Sequence, residues 1–334
     1  MRKCNVSDVA ENFVCAPVLL IGFNRPDFMA QQIEVLKEIR PPKVYVAVDG
    51  PRDNVDGESC LCNGVRDCVK LIDWECDVKT LFRKENRGCK YGVSEAISWF
   101  FENEESGIIL EDDCSPDISF FRFATELLEK YRDNQTIGAI CGFNFFNLQS
   151  DKETSYRFSR HMGVWGWASW RRVWDDYDVE IAQKIEKTSA LIENSHMTSY
   201  NKKVYRKFAA SLNNGFSTWD VQLSLLFLEK KYLTVIPRER LIHNTGIADF
   251  RASHTGGYIF WYKEWLQIGR LTFPLKHPEE IVCDKESDLL HEKMFSAFVP
   301  RAFTWVGCKI PILIGLIDSI GNVLRKYVPS LFRL

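Results

Sequence analysis

The stretch Ser106–Asp117, SGIILEDDCSPD, runs apolar residues straight into Glu111, Asp112 and Asp113. Adjacent carboxylates at the end of a buried strand repel one another, and such a cluster persists where a cation, or a substrate that brings one, neutralises it. A solvated acidic loop after a buried strand reads the same over this span. The surrounding pattern has to separate the two.

On either side, short β-rich runs alternate with amphipathic stretches. The runs VLLIGF, KVYVAVD, VKTLFR, GIILED and IGAICGF are interleaved with DFMAQQIEVLKEI, YGVSEAISWFF and FFRFATELLEKY. Met29, Ile33 and Leu36 fall at helical spacing in the first of these helices,. The pattern predicts an α/β fold, a mostly parallel sheet flanked by helices. Ligands of such sheets gather beyond the carboxyl ends of the strands, where Asn24 and Arg25, Asp49 and Gly50, Asn86 to Lys90, and the acidic triplet all fall,. Neither G-x-G-x-x-G nor G-x-x-x-x-G-K-[ST] occurs, which argues against a dinucleotide dehydrogenase and a P-loop enzyme,.

The chain has 334 residues, 46% of them hydrophobic, enough for a sizeable core,. A net charge of -2 supplies no global basic field, so nucleic acid is not an expected partner,. Asp8 and Glu11 stand where a signal peptide needs its apolar stretch, and APVLLIGF is too short to span a bilayer,. A cytoplasmic location is the expectation. The 11 cysteines are odd in number, and Cys15 and Cys141 sit in apolar segments, which suits reduced, buried thiols,. Cys60, Cys62, Cys68 and Cys76 lack the paired C-x-x-C knuckles of structural zinc sites,.

After residue 150 the character changes. RFSRHMGVWGWASWRRVWDDYD concentrates Trp165, Trp167, Trp170 and Trp174, and Gly163 and Gly166 suggest a close-packed turn. Such rings are either core or flat faces for stacking on sugars. A helical region, SLNNGFSTWDVQLSLLFLEKK, follows, and YLTVIPRERLIHNTG returns to strand character before a polar stretch with His243, Asn244 and His254. From Pro300 the tail has basic flanks and a longest apolar run, Ile310 to Ile317, that contains a proline. It reads equally as a core element or as an interfacial helix on an anionic membrane.

Taken in order, NRGCKYGVSEAISWFF, the acidic triplet, GVWGWASW and STWDVQ resemble GT-A-fold nucleotide-sugar glycosyltransferases, above all the N-acetylglucosaminyltransferase I-like branch and its bacterial relatives. The resemblance covers roughly residues 16–255. It implies a GT-A-like, Rossmann-like sheet with a helical C-terminal extension. The implied organisation is an N-terminal arm (1–15), a nucleotide-binding half (16–145), an acceptor-side half (146–255), a connecting region (256–299) and an amphipathic basic tail (300–334).

The resemblance also implies site roles. A D-x-D-like motif would place Asp113 on a Mn²⁺ or Mg²⁺ ion that bridges the donor diphosphate, with Glu111 and Asp112 toward sugar or ribose hydroxyls. GFNRP and VDGPR look like nucleotide-holding elements, with Asp49 as a hydroxyl or base N–H acceptor and Arg25 and Lys90 near the phosphates. Arg25 and Lys90 also read as ordinary surface cations. Asp220 in TWDVQ is the candidate general base, although the family pattern has two adjacent acids where this chain has Asp220 followed by Val221. The other reading of Asp220 is a helix N-cap. Trp165 and Trp167 are the acceptor-side candidates.

The implied activity is an inverting, metal-dependent transfer of a sugar from a nucleotide-sugar donor to a glycan or lipid-linked acceptor in bacterial surface polysaccharide or glycoconjugate assembly, with peripheral contact on the inner face of the membrane. A sugar-phosphate nucleotidyltransferase shares the sheet and the carboxylate-bound metal. A non-catalytic carbohydrate-binding or scaffold protein on the same fold is the third reading.

Overall fold

The computed structural model describes residues 13–145, 151, 153–213, 217–248 and 267–298. The tail read as 300–334, nearly all of the arm read as 1–15, and His254 lie outside the described residues. In chain order the elements are β1 (Val18–Gly22), α1 (Pro26–Ile39), β2 (Lys43–Val48), α2 (Glu58–Asp67), β3 (Asp77–Phe82), α3 (Gly88–Asn103), β4 (Ser106–Glu111), β5 (Cys114–Pro116), α4 (Ile118–Lys130), β6 (Ile137–Cys141), β7 (Tyr156–Ser159), β8 (Trp167–Trp170), α5 (Arg171–Trp174), α6 (Ile185–Glu193), α7 (Ser199–Asn213), α8 (Asp220–Lys230), β9 (Leu233–Pro237), β10 (Ile242–Asn244) and α9 (Lys285–Phe298).

The main sheet has 8 strands in the order β3-β2-β1-β4-β8-β6-β9-β7. The first four of these are parallel, as are β6 and β9. β8 runs antiparallel between β4 and β6, and β7 closes the far edge antiparallel to β9. This is the mostly parallel, Rossmann-like α/β arrangement expected from the sequence. Every residue of β1 is buried, because helices cover both faces of a parallel sheet and reward an unbroken apolar run,. Each fully buried Leu or Ile contributes about 1.5–3 kcal/mol.

Helix α1 starts with Pro26, whose missing N–H costs nothing in a first turn, and packs Met29, Gln32, Ile33 and Leu36 inward,. Helix α4 is capped by Asp117, which accepts from the Ser119 N–H at 2.8 Å,. The turn into β8 needs Gly166, whose φ is +60° and where a Cβ would come within 2.6 Å of Ile242,. It places the antiparallel strand close against β10.

Segment 267–298, read from the sequence mainly as a connecting region, packs on this core. Arg270 pairs with Asp117 at 2.8 Å, and Leu271 and Leu275 are buried. In α9, Asp288 accepts from Arg157 Nη1 at 2.7 Å, Ser159 Oγ at 2.6 Å and the Arg160 N–H at 2.9 Å. Among the described residues no helix is long and apolar enough to cross a membrane.

Candidate active site

The carboxyl ends of β1, β2, β3 and β4 open onto one cavity of about 750 Å³. Its sheet side is lined by Asn24, Arg25, Asp49, Arg52, Asn86 and the acidic triplet. The facing wall carries Trp165, Tyr205, Thr218, Trp219, Asp220 and Asn244. The convergence expected at the strand ends is therefore present, closed over by residues of the second half of the chain.

The acidic triplet is held by its neighbours on all sides. The buried Gln32 on α1 donates to the carbonyl oxygens of Glu111 (2.6 Å) and Cys114 (2.7 Å), fixing the turn between β4 and β5. Arg25 donates from Nε to Asp112 Oδ2 at 3.1 Å, from Nη2 to Asp112 Oδ1, and more weakly to Asp113 Oδ2 at 3.3 Å. The Asp113 carbonyl accepts from the Thr245 N–H at 2.8 Å, and Asn244 Nδ2 lies 3.3 Å from Asp113 Oδ1. Gly246 packs so close that a Cβ there would meet Asp113 Oδ2 at 2.3 Å. Pairing of β5 with β10 brings this clasp to the triplet.

Electrostatics in the cavity are dominated by uncompensated acid. Burial first, then the charges of Asp113, Asp220 and Asp112, push the Glu111 carboxyl well above the usual range, with Arg25 opposing. Burial raises Asp112 to about 6 even though Arg25 pulls it down. Arg25 pairs with Asp112 and Asp113, while Glu111 and Asp220 add carboxylates to the same cavity, a donor set of hard oxygens that a divalent cation would relieve,. The Asp113 side chain is 22% exposed, against 5% for Asp112.

The remaining sequence candidates have varied placements. Asp49 lines the cavity, but its carboxylate is committed to the chain. It accepts from the Arg87 N–H at 3.0 Å, the Gly88 N–H at 3.1 Å and Asn86 Nδ2 at 3.1 Å, which shapes the loop before α3. Lys90 does not line the cavity, contrary to the phosphate-side expectation. Its Nζ bonds both Glu180 oxygens at 2.8 Å, because the first turn of α3 faces the segment before α6.

Trp165 lines the cavity in an aromatic group with Phe143, at 4.7 Å between ring centroids, and Phe145, at 5.2 Å. Trp167 departs from its acceptor-side expectation. It lies beyond the turn at Gly166 as the first residue of β8, is 1% exposed, and stacks on Trp219 with ring centroids 5.9 Å apart. Asp220 opens α8 on the cavity wall, with Oδ1 accepting from the Thr218 hydroxyl and from the Val221 N–H at 2.9 Å. It thus shares in starting the helix while facing the triplet. Among the described residues Asp220 Oδ2 accepts no hydrogen bond.

Two supporting residues escaped the sequence reading. Glu58, 1% exposed, accepts from Asn24 Nδ2 at 2.9 Å and from the Arg52 N–H at 2.7 Å, tying the loops after β1 and β2 together. Gln32 is the other. Its one legible signal was an amide on the apolar stripe of α1. Cys89 also borders the cavity, but burial, and then Glu111 and Asp220, push its thiol up and leave it a poor nucleophile,.

No family model matches the chain, and no curated protein does. Solved structures show distant likeness. A mannosyltransferase from Pyrobaculum calidifontis in complex with GDP-Man and Mn²⁺ is 14% identical, with 65% of this chain and 70% of that chain covered and a TM-score of 0.37. A UDP-glucose pyrophosphorylase complexed with UDP-glucose is 6% identical, covering 70% and 94%, with a TM-score of 0.37. HddC from Yersinia pseudotuberculosis, complexed with GMP-PN, is 10% identical, covering 48% and 80%, with a TM-score of 0.30. These likenesses concern the fold alone.

Proposed function

We propose that the protein is a metal-dependent glycosyltransferase that moves a sugar from a nucleotide-sugar donor to an acceptor hydroxyl with inversion. The observation that carries this reading is the placement of Asp220, on the wall facing the strand-end carboxylates, near enough to Glu111 for its charge to raise that carboxyl. An inverting transfer needs this separation of duties, leaving-group stabilisation on one side and a base for the acceptor on the other.

In this reading the acceptor hydroxyl gives its proton to Asp220 Oδ2 as its oxygen attacks the anomeric carbon. The bond from that carbon to the diphosphate oxygen breaks, and the nucleoside diphosphate leaves with the electron pair. Arg25 Nη1, buried without a hydrogen bond among the described residues, is available to a phosphate oxygen,. Asp113, with Glu111 beside it, would hold a Mn²⁺ or Mg²⁺ ion, whose chemistry is to neutralise the diphosphate charge. Trp165 offers the acceptor a flat apolar face.

A sugar-phosphate nucleotidyltransferase is the second reading, and it would use the same cavity and carboxylates. Both readings must seat phosphates among cationic side chains that are already partly engaged. Arg25 is on Asp112, Arg52 on Glu58, and Arg83 on Glu95 at 3.1 Å. Incubation with a panel of nucleotide sugars and Mn²⁺ should release nucleoside diphosphate, whereas sugar phosphate plus nucleoside triphosphate should give no pyrophosphate. Pyrophosphate formation without diphosphate release would favour the nucleotidyltransferase instead.

A further inference from the structure

Away from the acidic triplet, His161, His196 and Glu292 bring their ligating atoms within 4.8 Å of one another. They come from three separate places: the segment after β7, the turn between α6 and α7, and the middle of α9. His161 Nε2 is buried, makes no hydrogen bond of normal geometry among the described residues, and lies 3.2 Å from Glu292 Oε1. The rings of His161 and His196 are 5.9 Å apart.

The surroundings hold these groups in place. Glu292 is 4% exposed in its side chain, and its Oε2 accepts from the Thr198 N–H at 2.7 Å, which leaves Oε1 directed at His161. The His161 backbone amide donates to Ser159 Oγ at 3.0 Å, and that hydroxyl donates to Asp288 on α9 at 2.6 Å, which fixes the chain at His161. Supporting bonds of this kind orient the ligands of metal sites. His196 is exposed and gives an ion a way in,.

We infer that His161, His196 and Glu292 form a site for a Zn²⁺-class ion, distinct from the carboxylate cluster in donor chemistry. Two imidazoles and one carboxylate are donors for zinc or cobalt, whereas an all-oxygen set suits Mg²⁺ or Mn²⁺. The ion's role is to brace the wall formed by α7, α9 and His161, which itself lines the cavity. This inference is independent of the proposed sugar transfer, because it rests on other residues and is read without any substrate.

Cobalt(II) is the probe, added to the full-length protein, with visible absorption of the bound ion as the readout. Wild type and Asp113→Ala should both develop the absorption, and Zn²⁺ should abolish it by displacement. His196→Gln, at an exposed position that leaves the core untouched, should weaken cobalt binding by more than the about 10- to 100-fold typical of losing a supporting bond. Zn²⁺ should raise the melting temperature of wild type but not of His196→Gln. No visible band in the wild type, or an undiminished band in His196→Gln, would overturn the assignment and leave His161 and Glu292 as an ion pair.

Discussion

Arg25 grips Asp112 through two guanidinium nitrogens, Nε at 3.1 Å from Oδ2 and Nη2 on Oδ1, where the ends of β1 and β4 lie side by side. Both side chains are largely buried, 13% and 5% exposed, so removing one partner strands the other charge. Arg25→Met should destabilise the fold by about 3 kcal/mol or more. Arg25→Lys, which keeps the charge but loses the fork, should cost less. Denaturant unfolding measures both, and equal losses in the two variants would argue that the fork geometry is irrelevant.

Asp113 is clasped through its backbone by Thr245 and supports none of the apolar core with its side chain. Asp113→Ala should therefore unfold like wild type yet lose the Mn²⁺-dependent part of its affinity for a nucleotide diphosphate. Calorimetry with and without Mn²⁺ decides the matter. Unchanged metal-assisted binding would remove Asp113 from the site.

How much of this was legible beforehand follows from where each residue finds its partners. Strands β1, β2 and β4 are mostly buried apolar runs, and the sequence alone announces such runs,. By contrast β7, YRFS, and β8, WASW, are strands only because they pair with β9 and with β4 and β6; locally they look like an aromatic segment. The triplet and Asp220 were visible as acids at element ends. Glu58 was not, because its partner Asn24 lies 34 positions away. Lys90 and Trp167 mark a different limit: residue type was readable, but the direction of the side chain depends on helix phase and strand face.

The turn at Gly166 leaves Trp165 on the cavity and carries Trp167 into the core. Trp167→Ala, in the core behind Trp219, should cost about 3–5 kcal/mol in stability. Trp165→Ala should spare much of the fold and instead raise the KM for acceptor. Thermal melts beside steady-state kinetics test the pair; a destabilised Trp165→Ala with an unchanged acceptor KM would assign that ring to packing.

Asp288 ties α9 to the sheet and makes stability depend on acid. Despite the opposing effect of burial, His161, Arg157, the Ser159 hydroxyl and the Arg160 N–H hold its carboxyl down at about 2. An unfolded Asp titrates near ~3.9. The carboxyl is therefore depressed on folding, and its contribution of about 2 kcal/mol is present above pH ~4 and lost as pH falls toward ~2. Asp288→Asn should lower stability at neutral pH and flatten the decline across that window. An unaltered acid profile in the variant would place the dependence on other groups.

Glycosyl transfer is tested most directly at Asp220. Asn keeps the shape and the Oδ1 acceptor that Thr218 and Val221 use, but replaces the basic Oδ2 with an amide,. Steady-state kinetics of Asp220→Asn with donor, acceptor and Mn²⁺ should show kcat lowered about 10²-fold or more, with donor affinity and melting temperature close to wild type. A kcat near the wild-type value would contradict the base assignment and leave Asp220 as the start of α8 alone.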